Sequence, residues 1–231
     1  MRILFRLLQT IFVGSDPIWE MFMEAKLLST LIGYAFGCLL TAEIVAHRVA
    51  GKSASALGET GNPGMANIMA SLGFLPGLIT LIGDLLKCVA AALIAYELFK
   101  EQGWIVTLYA ALGCTIGHDF PIWRKFKGGK GVATTSIGIA IYAFIPGLIA
   151  NIAGMLTVFA TKYLCIGGPV IPLVFTVIMF IRTDQEAGWI GVVLTALSVL
   201  AHSKSMSGIR NGRTSKTDVL GKLFKKQKTE M

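Results

Sequence analysis

Two lysines and three glycines stand together in Phe126-Lys127-Gly128-Gly129-Lys130-Gly131, directly ahead of an apolar run that begins Val132-Ala133-Thr134. Glycine lets a backbone fold tightly and turn its N–H groups toward one anion. A helix starting at Val132 adds free N–H groups and the positive end of its dipole. Lys127 and Lys130 supply full charges. This is chemistry suited to capturing a phosphate, with Gly128, Gly129 and Gly131 as the cradle. It is not a Walker A loop, because no Ser or Thr follows Lys130 and the upstream glycine spacing is absent. A flexible basic loop lying on lipid headgroups is the plainer explanation, but it does not need three glycines.

A second polar stretch, Gly58-Glu59-Thr60-Gly61-Asn62-Pro63-Gly64-Met65-Ala66-Asn67, has the same logic. Its glycines and Pro63 predict a rigid turn, with Thr60, Asn62 and Asn67 offering neutral hydrogen bonds to a hydroxyl or phosphate. An ordinary connecting turn competes with that reading. A third stretch runs from His202 to Thr214 and contains Ser205, Arg210 and Arg213. His118 and His202 each end an apolar run beside one of these stretches, a place that also suits a simple helix cap. Asp84 and Lys87 lie three residues apart within an apolar run, on one helix face, where a structural ion pair is expected. Ionisable groups inside a membrane are costly and often functional.

The elements that must position these residues are membrane helices. The chain of 231 residues is 54% hydrophobic and 15% charged, where a soluble domain carries about 25% charge. Seven apolar segments are predicted, near 25–49, 74–98, 103–119, 131–145, 147–163, 169–182 and 187–202. Several are short and broken by Gly or Pro, which a membrane tolerates only where protein or a polar cavity covers the backbone. The fold class expected is an all-α integral membrane protein of about seven short spans. Residues 1–22 read as an amphipathic leading segment, 23–203 as the membrane domain and 204–231 as a basic tail.

Net charge is +8, and the tail contributes most of it, with eight Lys and Arg against Asp218 and Glu230 in residues 203–231. Basic residues also gather at His47, Arg48 and Lys52 and at Arg124, Lys125, Lys127 and Lys130, whereas the loops near Lys100-Glu101 and Arg182–Glu186 are acidic or neutral. The positive-inside rule then puts the N-terminus outside, the C-terminus in the cytoplasm, and all three polar stretches at the cytoplasmic face. Cys38, Cys88, Cys114 and Cys165 are scattered without metal spacing and read as small buried apolar residues.

On these motifs the chain resembles the bacterial acyl-phosphate:glycerol-3-phosphate acyltransferase family across roughly residues 30–215. The matching features, in order, are Thr60-Gly61-Asn62-Pro63-Gly64 with Asn67, then Gly117-His118 with Phe120-Pro121 followed by residues 126–134, and more weakly His202 with Gly212. Asp84 and Lys87 fall on a leucine-aspartate-x-x-lysine motif of that family. The resemblance implies transfer of a fatty acyl group from acyl-phosphate to the 1-hydroxyl of glycerol 3-phosphate, giving lysophosphatidic acid and phosphate. It implies His202, Lys130 and Asn62 as catalytic residues. Thr60, Gly61, Gly64, Asn67, His118, Lys127, Gly128, Gly129, Gly131, Ser205 and Arg210 become substrate-binding residues. Neither metal nor organic cofactor is implied, nor a nucleic-acid partner; the partners are the two substrates and membrane lipid, and a monomer in the bacterial plasma membrane is expected.

The chain also departs from the family pattern. Ala70 stands where the family has an arginine, Met65 and Ala66 replace alanine and threonine, and Cys165–Gly168 replaces a serine-rich turn. Ser205 replaces an asparagine and Thr214 a glutamate. A paralogue with a different phosphorylated acceptor or donor, a non-catalytic lipid-phosphate-binding protein and a small organic-phosphate transporter are the alternative readings. Against transport, no inverted repeat is visible and the polar motifs lie at one face.

Overall fold

The computed structural model describes residues 17–58, 60–214 and 216, with side chains from Met23 onward. The leading segment before Pro17 and the tail beyond residue 216 lie outside the described residues. Among those described, nine α-helices are connected by short turns. They are α1 (Pro17–Gly37), α2 (Thr41–Ala50), α3 (Met65–Leu72), α4 (Phe74–Leu98), α5 (Ile105–Asp119), α6 (Val132–Tyr142), α7 (Phe144–Thr161), α8 (Leu164–Ile181) and α9 (Gln185–Arg210). Six segments are long and apolar enough to cross a membrane, and α6 is a shorter apolar helix. The chain is thus an all-helical, multi-pass membrane protein. Its outer surface is lined by exposed Leu, Ile, Val and Phe, which suits a lipid solvent.

The centre of the bundle is the α1–α5 contact, set by four glycines. Gly33 and Gly37 on α1 face the carbonyls of Ala110 and Cys114 on α5, and Gly113 and Gly117 on α5 face those of Thr30 and Tyr34 on α1. A Cβ on any of the four would run into the opposing backbone. Two small-x-x-x-small repeats therefore interlock, which is how membrane helices approach closely without a hydrophobic driving force. Around this contact α6 packs against α4, α5, α7 and α8, with Ile139 buried in one apolar cluster with Leu108 of α5 and Phe175 of α8. Its 11 residues rise only about 16 Å, roughly half the hydrocarbon thickness. Protein covers what lipid cannot.

The segment expected near 25–49 is one candidate span, Met23–Ala50, built from two helices with a break at Cys38-Leu39-Leu40. The break frees backbone carbonyls, and remote side chains take them up. Lys87 Nζ donates to the carbonyls of Gly37 (3.3 Å) and Leu39 (2.9 Å), and Trp123 Nε1 donates to that of Cys38 (2.8 Å). An apolar medium demands such partners. The eighth helix begins five residues before the expected 169 and carries Pro169 and Pro172 within it. Thr176 Oγ1 donates to the Pro172 carbonyl at 2.7 Å, the i−4 back-bond of a threonine inside a helix. The last helix outruns its expected end at 202 and continues to Arg210. At the far end of the bundle Glu186 accepts from Tyr109 at 2.9 Å and pairs with Lys26 at 2.5 Å, while Tyr142 donates to Asp184 at 2.5 Å.

Candidate active site

The glycine-lysine segment folds back onto the end of α5. The N–H groups of Gly128 and Gly129 donate to the carbonyls of Asp119 and His118, each at 2.9 Å. These carbonyls belong to the last turn of α5, which has no helical donors left for them. This corrects the expectation that both glycine N–H groups face an anion: they cap a helix. The free N–H groups belong instead to the first turn of α6, which starts immediately after Gly131, a residue in left-handed backbone at φ 62°. The anion-attracting feature is therefore the helix end rather than the loop.

Gly129 has a second duty. The His118 ring lies directly beneath it, with Nε2 where a Cβ would sit. His118 is 5% exposed. Its Nδ1 lies 2.8 Å from Lys87 Nζ, which also pairs with Asp84 at 2.8 Å. Because an ammonium can only donate, Nδ1 accepts and the ring proton belongs on Nε2. Asp84 and Lys87 form the expected structural pair, and that pair supports His118. His118 in turn sits under the loop and supports it.

Lys130 leaves the loop toward α9. Its Nζ donates to Ser205 Oγ at 2.6 Å across 75 residues of sequence. One turn earlier on α9, His202 is 2% exposed. Its Nδ1 lies 2.8 Å from the Ser198 carbonyl, which only accepts, so Nδ1 carries the proton and Nε2 keeps its lone pair. The ring can approach α8 because residue 168 is glycine: a Cβ there would come within 2.9 Å of Nε2. Burial pushes the Lys130 ammonium below the ordinary lysine range, an effect that Cys165 and Asp119 partly offset. Asp119 itself is buried, with neither carboxylate oxygen hydrogen-bonded among the described residues, and a Cβ on Gly131 would lie 3.0 Å from each oxygen.

The 58–67 stretch is a turn organised by Asn67. Its Nδ2 donates to the carbonyls of Ala54 (3.2 Å) and Leu57 (3.0 Å), and its Oδ1 accepts from Thr60 at 3.0 Å. Both amide hydrogens and the oxygen are engaged within the turn, so Asn67 shapes it. Gly61 holds left-handed backbone at φ 57°, and the half-buried Asn62 lies over Gly64. No hydrogen bond joins Thr60, Asn62 or Asn67 to Lys130, Ser205 or His202 among the described residues. The turn is coupled to the glycine loop by a residue that sequence reasoning passed over. Arg124, just ahead of the loop, pairs with buried Glu43 and donates to Ser55 at 3.0 Å, while Glu43 accepts from the Ala54 N–H at 3.1 Å. Nothing in the spacing of Glu43 and Arg124 marks them as partners.

Lys127 is exposed, and Arg210 is exposed in the last turn of α9 without an ion pair among the described residues. The structure thus brings Lys130, Ser205 and His202 together, with Gly131 at the adjoining helix end. Lys127 and Arg210 stay at its rim. Among the described residues no group of three His, Cys, Asp or Glu side chains is arranged to hold a metal ion.

With that geometry in hand, the comparisons with known proteins agree with one another. The family model for glycerol-3-phosphate acyltransferase matches residues 27–212. The chain is 36% identical to glycerol-3-phosphate acyltransferase 1 of Lactobacillus johnsonii, over 87% of this chain and 97% of that one. It is 31% identical to glycerol-3-phosphate acyltransferase 2 of Thermotoga maritima, over 82% and 95%. The fold matches crystal structures of PlsY, an integral membrane glycerol 3-phosphate acyltransferase, in a glycerol 3-phosphate form (TM-score 0.75) and a lysophosphatidic acid form (0.73). Each match is 24% identical and covers 86% of this chain and 98% of the other.

Proposed function

The chain belongs to the glycerol-3-phosphate acyltransferase family, an enzyme family that makes lysophosphatidic acid, and we propose that it takes its acyl group from acyl-phosphate. The observation that carries this reading is the Lys130–Ser205 hydrogen bond of 2.6 Å beside a His202 whose Nε2 lone pair is left free. A cation, a helix N-terminus and a proton acceptor then stand together, as two phosphorylated substrates require.

In the proposed step the glycerol 1-hydroxyl oxygen attacks the acyl carbonyl carbon. The bond from that carbon to the phosphate oxygen breaks, and inorganic phosphate leaves with its electron pair. The hydroxyl proton passes to His202 Nε2. Lys130 and the first-turn N–H groups of α6 hold the phosphate and stabilise its growing charge. Acyl-phosphate is already activated, so no covalent enzyme intermediate is needed. Asn62, Thr60, Gly61 and Gly64 position the acceptor from the 58–67 turn, and Lys127 and Arg210 draw anionic substrates to the rim. The acyl chain enters between helices from the lipid. No cofactor is assigned, and the working unit is taken to be a single chain.

The site is assigned to the cytoplasmic face because Arg124, Lys125, Lys127, Lys130 and Arg210 gather at that end while Asp184 and Glu186 lie at the other. A cysteine probe for this orientation belongs at exposed position 127. At 128 a Cβ would meet the Pro121 ring at 2.6 Å. A Lys127→Cys thiol should react with an impermeant reagent only in inside-out vesicles; reaction in intact cells would reverse the orientation.

The deciding experiment incubates purified protein with palmitoyl-phosphate and glycerol 3-phosphate and follows phosphate release and lysophosphatidic acid. Release that needs both substrates is expected. Release with another phosphorylated acceptor alone would make the chain a paralogue of different specificity. Binding without release would make it a non-catalytic lipid-phosphate receptor.

A further inference from the structure

Two of the positions at which the chain leaves the family pattern, Ser205 and Thr214, are joined to each other and to Lys130. After α9 ends at Arg210, Gly212 takes left-handed backbone at φ 65° and turns the chain back on the helix. Three backbone bonds close the turn: Gly212 N–H to Ile209 O (3.2 Å), and Arg213 N–H (2.9 Å) and Thr214 N–H (3.2 Å) to Gly208 O. The turn lays Thr214 along the last part of the helix, where its hydroxyl donates to the Ser205 carbonyl at 2.7 Å. Gly208 makes room for it, since any Cβ at 208 would collide with Thr214 Oγ1. The Ser205 hydroxyl then accepts from Lys130 Nζ at 2.6 Å. A helix terminus normally frays through its last turn. Here the turn nearest Lys130 is tied down by a residue beyond the helix end.

We propose that Thr214 is a positioning residue for Lys130, acting through Ser205. The Thr214 hydroxyl fixes the Ser205 backbone, and the fixed Ser205 hydroxyl holds the ammonium in one place on the phosphate side of the site. The proposal rests on Lys130 acting in the reaction. Neither residue touches a substrate in this scheme. The other ionisable groups near Lys130 are Asp119 on α5, Cys165 on α8 and His202 on α9. None of them is altered by changing Thr214.

A hydroxyl-to-backbone bond of ordinary strength corresponds to roughly a fivefold effect. Thr214→Val keeps the shape and removes the donor, so it should lower kcat about fivefold. Thr214→Ser keeps the donor and should stay within about twofold of the parent. Ser205→Ala should cost more than Thr214→Val, and adding Thr214→Val to Ser205→Ala should change little further, because the path to Lys130 is already cut. Equal losses in both backgrounds would overturn the proposal. A second readout does not depend on turnover: the pH dependence of acylation of the Lys130 amine by a water-soluble reagent, followed by mass spectrometry. Losing the Ser205 acceptor disfavours the charged form, so both Ser205→Ala and Thr214→Val should let Lys130 react at lower pH than in the parent. An unchanged labelling profile in Thr214→Val would also overturn it. Lys130→Met separates the two levels of inference: full turnover there would remove Lys130 from the reaction, while the labelling experiment still decides whether Thr214 positions it.

Discussion

The Arg124 guanidinium closes on the Glu43 carboxylate across 81 residues of sequence and binds the 58–67 turn to the glycine-lysine loop. Glu43 is 8% exposed at its side chain and Arg124 14%. Removing one partner from so buried a pair strands the other charge, which costs on the order of 3 kcal/mol. Arg124→Ala should therefore lower the thermal midpoint in detergent by several degrees. Because Ser55 and Ala54 are held by the same two side chains, it should also raise the KM for glycerol 3-phosphate more than that for acyl-phosphate. Equal effects on both constants would mean that the pair stabilises the fold without shaping the acceptor turn.

Gly129 is predicted to be irreplaceable for a reason unrelated to chain flexibility. A Cβ there would occupy the place of His118 Nε2, and the ring cannot retreat because Nδ1 is held at 2.8 Å by Lys87. Gly129→Ala should cut turnover by about 100-fold or more, as misplacement by about an ångström does. Gly51→Ala is the control. It replaces a glycine that holds left-handed backbone (φ 64°), as Gly129 does not, but with nothing within 4 Å of a Cβ. It should cost only the backbone strain of about 1 kcal/mol in stability. Comparable activity in the two variants would show that the loop has room the structure does not give it.

How much of this was legible beforehand follows from where the determinants lie in the chain. The glycine-lysine loop and the Asp84–Lys87 pair could be read because their residues are adjacent or one helical turn apart. Membrane class followed from charge depletion, and apolar run length located the helices, though about seven spans were expected where the described residues hold six long apolar segments and the shorter α6. The break at Cys38-Leu39-Leu40 was not read, because Gly37 is a weak signal inside an otherwise continuous apolar run. It exists because Lys87 and Trp123, 48 and 85 residues away, supply the missing donors. The direction of the Gly128 and Gly129 N–H groups was misread for a similar reason. Their acceptors are the end of α5, which periodicity locates only to within a few residues. Lys130, Ser205 and His202 were each singled out, yet only the folded chain shows that the first donates to the second and that the third keeps its Nε2 free. Glu43 and Arg124 carried no motif at all.

The four-glycine contact between α1 and α5 makes a prediction about assembly of the bundle. Gly33 and Gly113 each face a backbone carbonyl of the other helix, at Ala110 and Thr30. Gly113→Leu should force the helices apart and, with them, Gly117 and His118 at the loop end of α5. Loss of both thermal stability and turnover is expected, with membrane insertion unaffected, since leucine favours insertion. Gly83→Ala provides the contrast, because the atoms nearest its Cβ belong to the Thr41 side chain and not to an opposing backbone. Its midpoint should fall much less. A Gly113→Leu protein with a wild-type midpoint would remove the close contact from the fold's stability.

Lys130 gives the pH dependence. Burial lowers its folded pKa below that of an ordinary lysine, so its charge is lost at a lower pH than in the unfolded chain. Activity that needs the ammonium should fall as pH rises through the lowered value, giving an alkaline limb earlier than an unperturbed lysine would. The stability effect has the opposite sign. Between the lowered folded value and the ordinary unfolded one, the unfolded chain holds more protons, so this residue's contribution to stability rises with pH. Below the lowered value its burial penalty is complete and constant. Lys130→Arg, whose guanidinium stays charged over the whole range, should flatten the alkaline limb in whatever activity it keeps. Lys130→Met should remove the rise in stability along with turnover. A kcat profile with an unmoved alkaline limb in Lys130→Arg would assign that limb to another group.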